Sequence, residues 1–147
     1  MSLIEQLRRD EGEKLYAYMD QNGFITIGVG VCIDRRNGCG ITHDESDLLL
    51  SNRIARTSRA LSEEMAWTQA LDEVRRNALL NMSYNLGLRG LGEFRHFLDA
   101  MKVKEWEQAT TFLVQSKWAT ELHYDPANPL ESRPGRLMKQ IVTGVEQ

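Results

Sequence analysis

The amino-acid sequence predicts an α+β fold, in which one helix and a small antiparallel sheet are followed by a connecting helix and a helical bundle. Two observations support this fold class. Residues 15–31 have the apolar pattern of strands, whereas the apolar residues beyond position 42 recur with the period of a helix. Hydrophobic residues make up 41% of the 147 residues and charged residues 27%, which is typical of a globular protein with a sizeable core.

Two capping-box patterns mark where helices begin. In each, a Ser or Thr is followed three residues later by Glu, so that side chains and backbone N–H groups satisfy one another. The first pattern, Ser2–Glu5, predicts a short helix that stops near Gly12. The second, Thr42–Glu45, predicts a connecting helix that runs toward Leu61.

Between these helices the sequence predicts a hairpin. Residues 15–19 and 24–29 are strand-like, and Asn22-Gly23 between them is a turn signal. Residues 34–40 then form a polar, glycine-containing loop.

After the connecting helix, the apolar residues recur with the period of a helix. Gly87 is a predicted C-cap, and a loop over residues 123–135 holds all three prolines. The predicted helices of this part cover about residues 71–87, 94–101, 106–113 and 136–144, with a short helix at Trp118.

We expect residues 1–147 to fold as one domain with two lobes. Residues 12–60 form a lobe with the sheet and the connecting helix, and residues 1–11 and 61–147 form a helical lobe. Two lobes that share a long helix leave a cleft, and such clefts are favoured places for substrates.

Composition and charge argue against several classes of function. The formal net charge of −3 disfavours a nucleic-acid-binding protein, which usually carries a basic excess. No apolar run approaches the roughly 20 residues that span a bilayer, and the charged, amphipathic N-terminus is not a secretory signal. We therefore expect a protein that stays in the cytoplasm in which it is synthesised. We also expect it to be a monomer with no membrane partner.

The two cysteines, Cys32 and Cys39, are interpreted as reduced thiols. A disulfide that closes the short loop between them after release is the alternative. A metal site is not expected, because the two thiols and His43 supply only three ligands at a spacing that matches no common zinc pattern.

Three polar residues near the N-terminus are the candidate catalytic group. Glu11 ends the first helix, and Asp20 and Thr26 lie on the two sides of the hairpin turn. Taken alone, Glu11 could be a surface residue at a helix end, Asp20 a turn residue and Thr26 a strand former. Together, two carboxyl groups and a hydroxyl are what hydrolysis of a glycosidic bond needs. One carboxyl donates a proton to the leaving oxygen, and the other activates a water or attacks the sugar.

The spacing of these residues resembles the phage-type lysozymes of glycoside hydrolase family 24. Eight residues separate Glu11 from Asp20, five separate Asp20 from Thr26, and the glycines Gly28 and Gly30 follow. The resemblance covers nearly the whole chain and is weakest in residues 34–70. The helical segments that resemble the family are residues 71–87 and 93–118, together with Arg133, Arg136 and Thr143-Gly144 at the start and end of the last helix.

The resemblance implies a lysozyme-like fold and a muramidase that cleaves the β-1,4 bond between N-acetylmuramic acid and N-acetylglucosamine in a peptidoglycan glycan strand. It implies that Glu11 is the catalytic acid, that Asp20 is the second carboxylate and that Thr26 helps to hold the water. No metal or cofactor is needed. A carboxyl separation of about 6.5–9.5 Å would fit inversion and one of about 5 Å would fit retention. Thr26 and the family precedent favour inversion.

The resemblance also implies substrate contacts. Arg133 falls where the family has an arginine that pairs with the acid. Positions of the family's substrate cleft are occupied here by Cys32, Tyr84, Phe97 and Phe112. The family pattern has an aromatic residue at the position of Tyr84, which this chain keeps. Cys32, Phe97 and Phe112 differ from the residues expected at their positions. Core packing is the competing interpretation of Phe97, and for Tyr84 core and cleft are evenly balanced.

The leading hypothesis is a phage endolysin that accumulates in the host cytoplasm and reaches the cell wall after release by a holin-type membrane-pore protein. A bacterial lysozyme-like effector or a prophage remnant would use the same chemistry. A catalytically silent peptidoglycan-binding module is a further alternative, although a binder needs no proton donor at position 11. A helical nucleic-acid-binding protein is disfavoured by the acidic balance of charge and the strand-rich N-terminal segment.

Overall fold

The computed structural model describes residues 2–147, which contain seven α-helices, three short 3₁₀ helices and one three-stranded antiparallel sheet. This mixture confirms the predicted α+β class. The strands are β1 (Lys14–Met19), β2 (Ile25–Gly28) and β3 (Val31–Cys32). The helices are α1 (Leu3–Glu11), α2 (His43–Glu64), α3 (Glu73–Gly92), α4 (Arg95–Lys102), α5 (Trp106–Val114), α6 (Lys117–Glu121) and α7 (Arg133–Thr143), and the 3₁₀ helices are Arg35–Asn37, Ala66–Ala70 and Pro129–Glu131.

Both predicted capping boxes are confirmed. The Ser2 hydroxyl accepts the N–H of Glu5 at 3.3 Å, and the Glu5 carboxylate accepts the N–H of Ser2 at 2.6 Å. Thr42 and Glu45 make the same reciprocal pair at the start of α2, with distances of 3.2 and 2.7 Å. Each box satisfies two N–H groups that a helix start would otherwise leave without partners.

The sheet has the order β1-β2-β3. Thr26 in β2 lies opposite Tyr18 in β1 and opposite Cys32 in β3. Because residues directly opposite each other in antiparallel strands point to the same face, these three side chains share one face of the sheet. The third strand was not predicted, since two residues are too few to show a period.

The loop after β3 is fastened to the hairpin by Asp34 and Arg36. The buried Asp34 carboxylate accepts the N–H of Ile25 at 3.0 Å and the Nη2–H of Arg36 at 2.6 Å. Arg36 Nη2 also donates to the carbonyl oxygen of Gly23 at 2.8 Å. We call these two residues the loop brace. Hydrogen bonds from Arg36, followed by the one from the Ile25 N–H, hold the pKa of Asp34 well below its ordinary range.

The core of the helical part lies where α3, α4, α5 and α7 meet. The predicted end of a helix at Gly87 is confirmed as a break in helical backbone, with φ 74° and ψ 160°, although further helical turns continue to Gly92. The largest fully buried hydrophobic side chains are those of Leu61, Leu79, Met82, Leu91, Phe97, Met101, Leu113 and Ile141.

The last helix begins earlier than the sequence predicted. We expected its start near Arg136, after a loop over residues 123–135, but α7 begins at Arg133. Ser132 is the N-cap, since its hydroxyl accepts the N–H of Gly135 at 3.2 Å. Pro134 is well tolerated in the first helical turn, where no N–H is required. The prolines thus predict a loop, although Pro134 lies in the first turn of the helix.

The chain divides into two compact units, one up to Leu50 and one from Ser51, and the division falls inside α2. The first unit holds α1 and the sheet, and the second holds α3–α7. The predicted grouping of residues 1–11 with the helical lobe stays a prediction. None of the helices described is long and apolar enough to cross a membrane.

Candidate active site

Glu11 is the last residue of α1, and its exposed side chain lies against Gly30 in the turn between β2 and β3. A Cβ atom placed on Gly30 would lie 3.2 Å from Oε2 of Glu11. The backbone of Gly30 has a φ of 68°, in the left-handed region that favours glycine. The structure therefore brings the end of α1 and the β2–β3 turn together around the candidate acid.

Asp20 opens the turn between β1 and β2 and is fixed by that turn. Its Oδ1 accepts the backbone N–H groups of Asn22 and Phe24, both at 2.8 Å. No donor among residues 2–147 is bonded to its other carboxylate oxygen, Oδ2. Hydrogen bonds to an ionised carboxylate are strong and orient it, so one oxygen anchors the group and the other can bind a further donor.

Thr26 is buried in the middle of the sheet, with 3% of its surface exposed. Its hydroxyl donates to the carbonyl oxygen of Phe24 at 3.2 Å. The same carbonyl accepts the N–H of Asp20 at 2.9 Å. The backbone of Phe24 thus joins the two predicted catalytic residues of the hairpin, a role that no sequence pattern indicated. With its hydrogen directed at Phe24, the Thr26 oxygen has lone pairs left to accept.

The loop brace is a second feature that the sequence analysis missed. Asp34 holds the N–H of Ile25, which precedes Thr26, and Arg36 holds the carbonyl of Gly23 in the Asp20 turn. The brace therefore holds the segment between Asp20 and Thr26 at two points. The one signal in the sequence is that Asp34 is the first residue of the polar loop 34–40, where an Asp can cap a helical turn.

The predicted sugar-contact residue Cys32 shares the sheet face of Thr26, because the two residues are directly opposite each other. Its thiol is free and half-buried, as is that of Cys39. Among the residues that the structure describes, no three His, Cys, Asp or Glu side chains cluster closely enough to hold a metal ion.

Tyr84 on α3 is not a core residue, since 48% of its surface is exposed. It borders a cavity of about 550 Å³ that is also lined by Arg53, Arg56 and Ser83. The buried hydroxyl of Ser83 has no hydrogen-bond partner within residues 2–147. This exposure removes the core interpretation that the sequence left open for Tyr84.

Phe97 and Phe112 are brought together, at the edge of a cavity of about 390 Å³ that also contacts His96 and Trp118. Phe97 is 1% exposed and belongs to the hydrophobic core, which favours its packing role. The half-buried Phe112 ring lies 5.4 Å from the ring of His96. Contacts of these residues with sugar stay predictions.

Arg133 is held at the start of α7 by Asn81 of α3. Its Nε donates to Asn81 Oδ1 and its Nη2 to the Asn81 carbonyl oxygen, both at 2.8 Å. Two bonds to one partner fix the direction of the planar guanidinium. The pairing of Arg133 with the acid stays a prediction.

Comparisons with known proteins find one family whose sequence model matches most of this chain. The sequence model of the phage lysozyme family matches residues 8–125. The chain is 26% identical to the probable T4-type lysozyme 1 of Dictyostelium discoideum, over 97% of this chain and 95% of that protein. It is 34% identical to the endolysin of Salmonella phage P22, over 57% of this chain and 60% of that protein.

A third relative is a much longer protein than this chain. The chain is 29% identical to the pre-baseplate central spike protein Gp5 of Enterobacteria phage T4, over 98% of this chain, but it spans only 28% of that protein. Residues 8–125 include Glu11, Asp20 and Thr26 and most of both compact units. The helix end, the hairpin and helices α2–α6 thus fall within one continuous family match, and the chain belongs to the phage lysozyme family, whose glycoside hydrolases act on peptidoglycan.

Proposed function

We propose that the protein is a muramidase that hydrolyses the β-1,4 bond between N-acetylmuramic acid and N-acetylglucosamine with inversion at the anomeric carbon. Glu11 is the general acid, and Asp20 and Thr26 bind and activate the water. The observation that carries this proposal is the shared bonding of Asp20 and Thr26 to the backbone of Phe24. It attaches a carboxylate and a hydroxyl to the backbone of one residue and leaves an acceptor on each.

The proposed reaction uses these acceptors in one displacement. Glu11 transfers its proton to the glycosidic oxygen, which leaves as the sugar hydroxyl. A water that donates to Asp20 Oδ2 and to the Thr26 oxygen attacks the anomeric carbon from the opposite face, and Asp20 takes its proton. The anionic Asp20 also stabilises the positive charge that develops on the sugar ring. No metal or cofactor takes part in these steps.

The experiment compares the wild type with Glu11→Gln and Asp20→Asn on purified peptidoglycan. Both substitutions keep the size of the side chain and remove its proton-transfer capacity, so we expect kcat to fall by about 10²–10⁴-fold for the acid. Mass analysis of the released fragments should find reducing N-acetylmuramic acid ends. Anhydro ends would identify a transglycosylase instead, and full activity of Glu11→Gln with unchanged folding would remove Glu11 from the role of acid.

The stereochemical outcome is a separate measurement. Proton NMR of a short glycan, recorded within the first minutes, shows which anomer forms before mutarotation. The α anomer is expected from inversion of the β bond. Initial formation of the β anomer would mean a covalent intermediate on Asp20 and would overturn the assignment of Asp20 as a water-binding base.

The biological role that we propose is lysis of a bacterial host at the end of a phage infection, with accumulation in the host cytoplasm and release by a holin-type protein. The similarity to a protein named as an endolysin supports this role. Induced expression in bacteria tests it, because cell density should fall only when a pore-forming protein is produced as well. A bacterial effector would be encoded away from phage genes, and a silent binding module would bind peptidoglycan without cutting it.

A second role is supported by the similarity to the T4 spike protein, which covers 98% of this chain. In that case the hydrolase would be carried by the phage particle. Mass spectrometry of purified particles separates the two roles, since an endolysin stays in the lysate and a spike component is recovered in stoichiometric amount with the particles.

A further inference from the structure

Cys32 and Cys39 form a pair that the catalytic proposal does not use. Asn37 places its side-chain Nδ2 4.0 Å from Cys32 Sγ and 3.7 Å from Cys39 Sγ, so one amide group contacts both sulfur atoms. Both side chains are half-buried, so a small reagent can reach them. Two thiols that contact the same amide group, at the ends of a segment of eight residues counting both cysteines, need little movement to form a disulfide.

From this arrangement we propose that Cys32 and Cys39 are a thiol–disulfide exchange site, which small linear disulfides such as oxidised glutathione convert into an intramolecular disulfide. The inference does not rest on the proposed muramidase function, because it concerns only the chemistry of the two sulfur atoms and the loop between them.

The surroundings of the sulfurs decide which one attacks. The neighbouring Cys39 side chain, followed by the backbone N–H of Asp34, lowers the pKa of the Cys32 thiol, and the Asn37 amide adds to this effect at 4.0 Å. The neighbouring Cys32 side chain and burial raise the pKa of the Cys39 thiol, which donates to the carbonyl oxygen of Asn37 at 3.6 Å. Since the thiolate is the nucleophile in exchange, Cys32 is the attacking residue and Cys39 the resolving residue.

The reaction proceeds in two balanced displacements. Cys32 Sγ, as the thiolate, bonds to one sulfur of oxidised glutathione, and the other sulfur leaves as a thiolate that takes up the proton Cys32 lost. Cys39 then loses its proton, its Sγ bonds to Cys32 Sγ, and the second glutathione leaves as a thiol. Two protein S–H groups are oxidised to one S–S bond, and one glutathione disulfide is reduced to two thiols.

The location gives the bond a structural consequence. Cys32 pairs with Thr26 in the sheet, and the N–H of Cys39 donates to the Asp34 carbonyl oxygen at 3.2 Å. The new bond would therefore tie both ends of the braced loop together on the face of the sheet that carries Thr26.

In the test, the reduced protein is incubated with oxidised glutathione and the remaining free thiols are alkylated with iodoacetamide. The mass of the intact chain is then measured by mass spectrometry. We expect a product lighter by two hydrogen atoms, with no glutathione attached and no alkylation. Because Arg35 and Arg36 lie between the cysteines, trypsin should leave two peptides that only the new bond joins.

Three variants make the test specific. Cys39→Ser should stop at the mixed disulfide with glutathione on Cys32, and Cys32→Ser should form its adduct more slowly than Cys39→Ser. Asn37→Ala changes an exposed residue and should slow ring closure without unfolding the protein. Two thiols that stay alkylatable in the native wild type, a wild type that stops at the mixed disulfide, or only intermolecular dimers would overturn the proposal. Equal ring closure in denaturant would overturn it too, because the folded contact would then contribute nothing.

Discussion

Substitution of Gly30 by Ala tests whether the contact between this glycine and Glu11 matters for activity. The change combines two effects, because Gly30 has a positive φ and faces the carboxyl of Glu11. Gly38 supplies a matched control. It has the same φ of 68°, and a Cβ placed on it would meet no atom within 4 Å.

The magnitudes follow from these two observations. A non-glycine residue in the left-handed region costs about 1–3 kcal/mol, and this cost applies to both variants. For a chain of this length it lowers the melting temperature by roughly 2–12 °C. Only Gly30→Ala adds a methyl group 3.2 Å from Glu11 Oε2, which forces this carboxyl group to move by a few tenths of an ångström. Misplacing a reacting group by about 1 Å costs about 100-fold, so we expect an activity loss of about 3–10-fold.

Thermal unfolding followed by circular dichroism and initial rates on peptidoglycan measure the two effects separately. We expect Gly30→Ala and Gly38→Ala to lose similar stability, with kcat lowered in Gly30→Ala alone. If both variants keep wild-type kcat, the contact with Gly30 does not position the acid. If both lose activity equally, the loss comes from backbone strain and not from Glu11.

Other predictions concern stability. Asn85→Ala should lower the free energy of unfolding by about 1–3 kcal/mol, because the buried Trp118 Nε1–H donates to Asn85 Oδ1 at 2.8 Å and would lose its acceptor. Denaturant titration measures this loss, and an unchanged unfolding midpoint would mean that water replaces the amide as acceptor. Leu79→Ala should cost about 2–5 kcal/mol by opening a cavity in the core, measured in the same way. The lowered pKa of Asp34 means that its stabilising effect is complete above an unfolded-state pKa of about 3.9 and is lost as the pH falls toward its folded value. Asp34→Asn should therefore flatten the acid limb of the stability profile, and a limb as steep as that of the wild type would contradict this.

Local chemistry made the N-terminal elements predictable. Ser2 and Thr42 each find a partner three residues away, and Asn22-Gly23 lies inside a single turn, so the responsible contacts are all short in sequence. Glu11, Asp20 and Thr26 were found by their spacing, and the structure places Asp20 and Thr26 on one backbone hydrogen-bond network.

The remaining features depend on contacts that a linear pattern does not encode. Strand β3 exists because Cys32 pairs with Thr26, and neither residue indicates that pairing by itself. Arg133 and Asn81 are 52 residues apart in the chain. The start of α7 was misplaced because Pro is compatible both with loops and with the first turn of a helix. The loop brace was missed because the burial of Asp34 is a property of the folded hairpin.

Phe24 supports the candidate site almost entirely through its main chain, with its N–H on Asp20 and its carbonyl on Asp20 and Thr26. The ring adds a contact to the Arg36 guanidinium at 5.9 Å. The side chain at this position can therefore vary widely while Asp20 and Thr26 keep their backbone partners, and proline alone is excluded because it lacks an amide hydrogen. Variation at this position among related enzymes would thus be a poor guide to which of them have lost their activity.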